Sequence, residues 1–258
     1  MWSEEELDIL KNNYNRLCME DLMYMLPNRT LTAIFLKANK IGLKREIRDS
    51  KNMRKYIFNY DYFENINTEN KAYYLGWALT DGNVSNTQYR LRLQSQDVDI
   101  LQKFKNDIKS NYPIYDRDNG RSKEIVLSNF KTVEDLCKLG CKPHKTFSLE
   151  MPNINELYEW DFIKGIFDGD GSYICTDKTK KITLVSASQK FINQLYNLLK
   201  KYNINSTIYK PKNGRYYVLE VASKKGIKTF INNILKTKSD FLNRKYKKMI
   251  ALNEYVNS

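Results

Sequence analysis

Residues 162–173 read Phe-Ile-Lys-Gly-Ile-Phe-Asp-Gly-Asp-Gly-Ser-Tyr, an apolar run that stops on an acidic, glycine-flanked turn. The chain holds a second copy at residues 73–83, Tyr-Tyr-Leu-Gly-Trp-Ala-Leu-Thr-Asp-Gly-Asn. In both copies a glycine inside the apolar run precedes an Asp-Gly pair by five residues, and Asp81 and Asp170 lie 89 residues apart. Two copies at this spacing predict an internal duplication of one small α/β unit.

The length and charge of the chain bound its possible functions. It has 258 residues, enough for two or three compact units, and a formal net charge of +13 with Lys and Arg spread along it. Such a charge favours a polyanionic partner, and nucleic acid is the first candidate. No apolar run reaches the roughly 20 residues of a membrane helix, and the acidic start has no signal-peptide core. We therefore expect a soluble intracellular protein with no membrane partner.

The cysteines of an intracellular protein are expected to be reduced thiols. Cys137, Cys141 and His144 form a short Cys/His cluster. A tetrahedral zinc site needs a fourth ligand, and the sequence offers none nearby. The pattern favours two cysteines one turn apart on a helix, with a zinc site as the weaker alternative.

Residues 1–45 have the pattern of a small three-helix unit. Ser3 and Glu6 form a capping box before the first helix, Thr30 can cap the third, and Gly42 can end it. The unit resembles a Myb/SANT-type or related helix-turn-helix domain. That resemblance implies that four residues of the turn and third helix face DNA: Arg29, Thr30, Lys37 and Lys40. A helical protein-interaction module is the alternative.

The remaining chain divides into a linker and two halves. Residues 46–69 are predicted to form a basic linker that can lie along phosphates without reading bases. The first half spans 70–156 and the second 157–258. Apolar periodicity predicts the same order in each, namely helix, two strands, helix, two strands and helix. The matching order supports the duplication independently of the motifs.

The two Asp-Gly turns point to a metal site. A carboxylate after the last turn of a helix is disfavoured by the helix dipole, and a mid-helix glycine costs about 1 kcal/mol relative to Ala. Both unfavourable features are explained if the helices that contain Gly76 and Gly165 pack together and bring Asp81 close to Asp170. Adjacent carboxylates repel unless a cation lies between them, and Mg²⁺ prefers such oxygen ligands. A basic protein with paired aspartates at such a helix interface fits a phosphodiesterase that cuts both strands of a duplex. Two plain turns are the alternative.

Strictly alternating residues predict a DNA-facing strand at 89–94. Leu91 and Leu93 lie on one face, and the other face is Arg and Gln, which suit reading of base edges. A solvated outer face is the alternative. Extending the alternation from each aspartate gives the predicted DNA contacts Asn83, Ser85, Arg90, Arg92 and Gln94 in the first half, and Ser172, Ile174, Lys181 and Thr183 in the second.

At residues 75–82 and 163–171 the chain resembles the LAGLIDADG homing endonucleases in their single-chain, two-motif form. The resemblance covers about residues 70–250. The first copy departs from the family pattern by Leu79, where many members have Asp, and by Thr80, where Ala or Gly is usual. The resemblance implies an α+β fold of two pseudo-symmetric αββαββα halves. The motif helices would form the interface, and two saddle-shaped antiparallel sheets would lie on the DNA major groove.

The same resemblance implies the chemistry and its residues. A monomer would hydrolyse both strands of a long double-stranded DNA site with Mg²⁺, or with Mn²⁺ as a substitute, leaving 3′ overhangs. The implied metal ligands are Asp81, Asp170 and the backbone carbonyls of Thr80 and Gly169. The implied catalytic groups are the two aspartates, Lys145, Lys245 and Gln96, whose counterpart in the second half falls near Ala187.

Three other functions compete with this reading. A non-cleaving DNA-binding regulator on the same fold would be expected to lose the acids, and both are present. An intron maturase that binds its own intron RNA is compatible with the same sequence. A basic protein without a site is the third.

Overall fold

The computed structural model describes residues 2–44 and 56–258 and mixes helices with antiparallel sheets. Residues 46–55 of the predicted basic linker lie outside the described residues. None of the helices within the described ranges is long and apolar enough to cross a membrane.

Three helices form at the N-terminus, as the caps predict: α1 (Glu4–Asn13), α2 (Met19–Met25) and α3 (Leu31–Lys40). The capping box is present, with the Glu6 backbone N–H donating to Ser3 Oγ and the Ser3 N–H donating to the Glu6 carboxylate. Thr30 caps α3 by accepting from the Ala33 N–H at 3.2 Å. A small core of its own, including Leu10, Leu22 and Ile34, lies between the three helices.

The two halves repeat one order of elements, which confirms the predicted fold class. The first half contains α4 (Glu69–Thr80), β1 (Asn83–Ser85), β2 (Arg90–Ser95), α5 (Val98–Asp107), β3 (Ile114–Arg117), β4 (Ser122–Ser128) and α6 (Phe130–Lys138). The second contains α7 (Glu159–Gly169), β5 (Gly171–Cys175), β6 (Lys180–Ser186), α8 (Gln189–Lys201), β7 (Thr207–Tyr209), β8 (Tyr217–Val221) and α9 (Lys224–Lys236), followed by α10 (Asn243–Asn257).

Each half builds a four-stranded antiparallel sheet with the same topology. The strand orders are β1-β2-β4-β3 and β5-β6-β8-β7. Register is equivalent as well, since Ser85 pairs with Arg90 in the first sheet and Ile174 pairs with Lys181 in the second. The duplication inferred from the motifs therefore extends to the pairing of the strands.

The motif helices α4 and α7 form the interface between the halves and approach closely. A Cβ atom on Gly76 would lie 2.3 Å from the Phe162 carbonyl oxygen, and one on Gly165 would lie 2.0 Å from the Tyr73 carbonyl oxygen. Both distances are far inside van der Waals contact. Only glycine fits at these two crossing points, as the close-packing hypothesis requires.

Residues 56–66 pack into the core of the first half. Phe58, Tyr62 and Phe63 are buried there, and the Tyr62 ring lies edge-on to Phe104 of α5 with centroids 6.2 Å apart. The packed first half thus begins before residue 70, where the sequence places its boundary. The earlier start is due to a cluster of buried aromatic side chains, whose spacing follows no helical period in the sequence.

The N-terminal unit docks on the outer end of the first sheet. Arg16 donates to the Thr87 carbonyl in the β1–β2 hairpin. The Asn129 amide, which begins α6, donates to Asp21 at 3.2 Å, and Tyr24 lies against Phe130 with centroids 5.9 Å apart. The three-helix unit is therefore positioned where the first sheet ends.

We expect Gly165→Ala to destabilise the protein strongly, because the new methyl group would overlap the Tyr73 carbonyl across the seam. The free energy of unfolding should fall by about 3 kcal/mol or more, at the upper end of overpacking effects. Urea denaturation followed by circular dichroism measures this change. Gly214→Ala in a hairpin turn is the matched control, since its Cβ would meet only the Pro211 ring, at 3.2 Å, and it should cost less than about 1 kcal/mol. Equal losses in both variants would contradict the close approach.

Candidate nuclease centre at the helix seam

The seam ends with Asp81 and Asp170 side by side. Each follows its motif helix, and both side chains are exposed at the floor of open clefts. One cleft of about 530 Å³ is lined by Asp81, Gln96, Gly169, Leu242 and Arg244, among others. A second of about 200 Å³ is lined by Asp170, Thr80, Lys145 and Ala187, among others. We call these the Asp81 cleft and the Asp170 cleft.

The electrostatics of the two carboxylates reflect their crowding. Neighbouring protein atoms raise the pKa of Asp81, and the Trp77 indole N–H, 3.0 Å from its Oδ2, works in the opposite direction together with Lys245 and Lys145. Desolvation by the surrounding protein atoms raises the pKa of Asp170 to about 6, although its side chain reaches the cleft, and the charge of Asp81 adds to that rise. The pair thus concentrates negative charge that a cation would stabilise.

Lys145 and Lys245, which sequence reasoning assigned to the site, occupy equivalent places. Lys145 Nζ donates to the Gly82 carbonyl, and Lys245 Nζ donates to the Gly171 carbonyl at 2.8 Å. Gly82 and Gly171 each follow a motif aspartate. The two ammonium groups therefore lie beside the two carboxylates, related by the pseudo-two-fold axis.

The environments of the two lysines differ. Lys245 is buried and also donates to the carbonyls of Phe167, at 2.9 Å, and Gly169. Burial lowers the pKa of Lys245 to about 8. Lys145 is half-buried and begins a 3₁₀ turn, Lys145–Phe147, after a left-handed His144 with φ of 55°.

Gln96 and Ala187 line opposite clefts, as the pseudo-symmetry requires. Gln96 lies in the Asp81 cleft and Ala187 in the Asp170 cleft. A side chain that could hold a water molecule is thus present in one cleft and replaced by a methyl group in the other.

Thr80, the departure in the first motif, packs against Gly169 at the equivalent position of the second. A Cβ on Gly169 would lie 1.9 Å from Thr80 Oγ1. The Thr80 hydroxyl donates to the carbonyls of Trp77, at 3.0 Å, and Gly76, at 3.2 Å. A larger residue in one motif is accommodated by the smallest residue in the other, so the helices still pack closely.

The sequence argument missed Trp77, Asp168 and Arg244. Trp77 precedes Asp81 by one helical turn and holds its carboxylate, so the i, i+4 spacing could have identified it. Arg244 lines the Asp81 cleft and pairs with Asp97 at 3.1 Å. Asp168 is buried on α7, and burial raises its pKa to about 6. No sequence signal identifies Arg244, because its place depends on how α10 docks.

The predicted DNA contacts of the first half share one exposed face of the first sheet. The register of β1 and β2 sets them side by side: Asn83, Ser85, Arg90, Arg92 and Gln94. Arg92 lies 3.4 Å from Glu124, a nearly buried carboxylate on β4 that also pairs with Arg117 at 2.5 Å. The acid fixes the direction of both guanidinium groups on this face.

In the second half, Ser172 is exposed on β5, while Ile174 is half-buried. Lys181 pairs with Glu220 at 2.7 Å, and Thr183 is only 9% exposed. By strand register, Ile174 stands where the first sheet has Ser85, and Thr183 stands where it has Arg92, so these two positions carry less polar side chains. The assignment of these residues to DNA contact stays a prediction.

In the N-terminal unit, Lys40 is exposed and Lys37 half-exposed on α3. Arg29 forms a two-bond ion pair with Glu6, with both N···O distances 2.7 Å, and its guanidinium lies 4.7 Å from the Trp2 ring. Thr30 serves as the cap of α3. Arg29 and Thr30 therefore have structural roles in this unit, and their predicted contact with DNA stays a prediction.

Cys137 and Cys141 do not form a metal site with His144. The Cys141 thiol is buried and donates to the Ala78 carbonyl at 3.2 Å. Across residues 2–44 and 56–258, no group of three or more His, Cys, Asp or Glu side chains is arranged to hold a metal ion. Any ion at the seam would have to take its further ligands from backbone oxygens, water or phosphate.

The donor set at the seam fits that requirement. Mg²⁺ is usually held in proteins by one or two carboxylates together with waters and substrate phosphates. Asp81 and Asp170 provide the carboxylates, and the carbonyl of Gly169 lines the Asp81 cleft. That carbonyl already accepts from Lys245, but a carbonyl oxygen has a second lone pair for another partner.

Comparison with known proteins agrees with the motif and the fold. Residues 158–235 match the family model of the LAGLIDADG-like domain. The match to the LAGLIDADG-like domain thus covers most of the second half of the chain, from before α7 to α9. The fold is similar to that of the I-LtrWI LAGLIDADG homing endonuclease bound to target DNA, at 12% identity, TM-score 0.52, and 77% of this chain and 92% of that chain covered. It is also similar to that of the I-SmaMI LAGLIDADG homing endonuclease bound to cleaved DNA, at 12% identity, TM-score 0.52, with 72% of this chain and 88% of that chain covered.

Two curated relatives come from Methanocaldococcus jannaschii. One is a probable translation initiation factor IF-2, 29% identical over 189 residues, which are 67% of this chain and 16% of that protein. The other is DNA-directed RNA polymerase subunit Rpo1C, 30% identical over 148 residues, 55% of this chain and 17% of that protein. The chain spans about a sixth of the length of these relatives.

We expect the Thr80–Gly169 contact between α4 and α7 to behave as a size-complementary pair. Gly169→Ala alone should lower the free energy of unfolding by about 1–3 kcal/mol through overlap with Thr80. Adding Thr80→Gly should recover at least half of that loss after subtraction of its own cost of about 1 kcal/mol. Chemical denaturation of the four members of the cycle gives the coupling. Additive effects of the two changes would show that the residues do not touch.

Proposed function

We propose that this protein is a DNA endonuclease that hydrolyses one phosphodiester bond on each strand of a duplex. The observation that carries the proposal is the pair of clefts at the end of the helix seam, one lined by Asp81 and the other by Asp170, with Lys145 and Lys245 donating to the glycine carbonyls that follow the two aspartates. Two centres related by an approximate two-fold axis match the two-fold symmetry of the DNA backbone. A single centre would have to turn around to reach the second strand.

The two sheets supply the DNA-binding surface in this proposal. They flank the seam, and the outer face of the first carries Arg90 and Arg92. The overall charge of +13 adds attraction for phosphates. Long double-stranded DNA is the partner that such a surface fits, and the N-terminal unit at the outer end of the first sheet would lengthen the contact.

The chemistry assigned to the site is hydrolysis. The oxygen of a water molecule bonds to phosphorus, the bond from phosphorus to one ester oxygen breaks, and a proton passes from the water through solvent to the leaving oxygen. Lys145 and Lys245 would stabilise the extra negative charge that develops on the phosphate. Mg²⁺, or Mn²⁺ in its place, held by Asp81 and Asp170 with carbonyls of Thr80 and Gly169, would supply Lewis acidity. The 3′ overhang of the products follows from the family resemblance.

The curated relatives support a role separate from translation or transcription. An initiation factor and a polymerase subunit have different activities, yet each matches this chain over less than a fifth of its length. The shared segment is therefore a module that is independent of either activity. Cleavage at its own insertion site, as in intron homing, is the use that we propose for it. Both acids stand in open clefts, which favours this over a non-cleaving regulator.

We expect the protein to make a metal-dependent double-strand break in DNA that joins the sequences flanking its own coding region without it. Mg²⁺ should support cutting and EDTA should prevent it. Asp81→Asn and Asp170→Asn should each lower cutting at least about 100-fold, since each removes one of the two carboxylates that would hold the metal. Gel analysis of a plasmid substrate measures the rate.

Asp8→Asn on the exposed face of α1 is the matched control and should cut at the rate of the unaltered protein. No break with any divalent metal would refute the nuclease. Normal cutting by both site variants would refute the assignment of the centre.

We expect Lys37→Ala with Lys40→Ala to weaken DNA binding without slowing cutting at saturating protein. Each phosphate contact contributes about −0.9 to the slope of log binding constant against log salt, so the slope should become less steep by about 1–2. Fluorescence anisotropy across a salt series measures the slope. Lys11→Ala on α1 is the control and should leave the slope unchanged. An unchanged slope in the double variant would show that Lys37 and Lys40 of α3 do not contact DNA.

A further inference from the structure

The two halves differ at one pair of buried positions on the motif helices. Tyr73 on α4 donates its hydroxyl proton to Asp168 on α7 at 2.9 Å, and both side chains are buried. The equivalent positions lie 89 residues away: Phe162 corresponds to Tyr73, and Leu79 corresponds to Asp168. Both are fully buried and apolar. A polar contact on one side of the seam is thus replaced by hydrocarbon on the other.

Asp168 also anchors the start of α10. The same carboxylate oxygen accepts from the Leu242 backbone N–H at 2.8 Å. Leu242 immediately precedes α10, and its carbonyl accepts from the N–H of Lys245 at 3.0 Å and of Tyr246 at 2.9 Å. The first turn of the helix that bears Lys245 is therefore tied directly to a side chain of α7.

This anchor places Lys245 at the Asp81 cleft. Lys245 Nζ donates to the carbonyl of Gly169, which lines that cleft together with Leu242. Donation to Phe167 and Gly171 completes a set of three carbonyls around the ammonium group. Three hydrogen bonds on a helix with a fixed start leave this lysine little freedom to move.

Lys145 at the Asp170 cleft is held differently. It lies in a 3₁₀ turn rather than on an α-helix, and its ammonium group donates to the carbonyl of Gly82. Leu79, at the position of Asp168, has a hydrocarbon side chain that cannot accept a hydrogen bond. This cleft also has Ala187 where the other has Gln96. Both differences leave the Asp170 cleft with fewer fixed polar groups.

We propose that Asp168 is a positioning residue that holds Lys245 in place through the start of α10, and that the preorganised Asp81 cleft cuts its strand first. The proposal rests on the endonuclease function proposed above. A misplacement of about 1 Å can cost about 100-fold in rate. Loss of the anchor should therefore slow one strand and spare the other.

The test follows the two strands separately. A duplex of the target is labelled at a different end on each strand, and single-turnover rates are measured with Mg²⁺. Lys245→Met and Lys145→Met assign the strands, because each should slow one strand more than the other. In the unaltered protein the strand assigned to Lys245 should be cut at least about threefold faster. Asp168→Asn should slow that strand about 10–100-fold, change the other by less than about threefold, and so reverse the order of the nicks.

Asp161→Asn is the matched control. Asp161 is also a buried acid on α7, and it accepts from the Ser239 N–H at 3.1 Å in the segment before α10. A purely structural loss of such an anchor should slow both strands alike, and Asp161→Asn should preserve the ratio of the rates. Tyr73→Phe removes one hydrogen bond while keeping the ring, and should move the ratio in the same direction as Asp168→Asn even where the latter folds poorly.

The outcomes separate the two proposals. Absence of cutting by the unaltered protein refutes the endonuclease and the inference with it. Cutting of both strands at equal rates, or equal slowing of both strands by Asp168→Asn and Tyr73→Phe, refutes the inference and leaves the endonuclease standing. A selective change in the ratio for these two variants, absent from Asp161→Asn, supports the positioning role.

Discussion

The contact of the backbones of α4 and α7 is the constraint on which the rest of the structure depends. Gly76 and Gly165 each face a carbonyl oxygen of the opposite helix at a distance that leaves no room for a methyl group. Each glycine costs about 1 kcal/mol of helix stability. The close contact that these glycines allow joins the two halves into one core and aligns the C-terminal ends of α4 and α7.

That alignment creates the site. The helices end together, so the aspartates that follow them meet at one place, where desolvation and then the charge of Asp81 raise the pKa of Asp170. Crowding of like charges is unfavourable in the isolated protein, and the two ammonium groups of Lys145 and Lys245 offset part of it. An arrangement that costs stability without a partner is typical of a functional site. The seam therefore joins the two halves closely and also holds two crowded carboxylates.

The two halves retain one topology while their side chains have diverged in complementary ways. Thr80 fits because the residue opposite is Gly169, and Tyr73 is buried favourably because Asp168 accepts its hydrogen bond. Each substitution is tolerated through a partner on the other helix. A duplicated chain is free to change in this way, whereas an identical pair of subunits would have to make every change twice.

The sequence by itself determined the duplication, the order of the elements and the two aspartates, because these depend on local periodicity and on a motif repeated at fixed spacing. It also determined Lys145 and Lys245 as candidates, through the family resemblance. Only the tertiary structure decided that both lysines contact the glycine carbonyl after each aspartate. It alone brought Arg244 and Gln96 into one cleft and made Asp168 the anchor of α10. The physical reason is that these contacts join residues far apart in the chain. Asp168 and Leu242, for example, are 74 residues apart, and a contact at that distance produces no periodic pattern in the sequence. The same holds for residues 56–66, whose aromatic side chains are buried by a core that lies later in the chain.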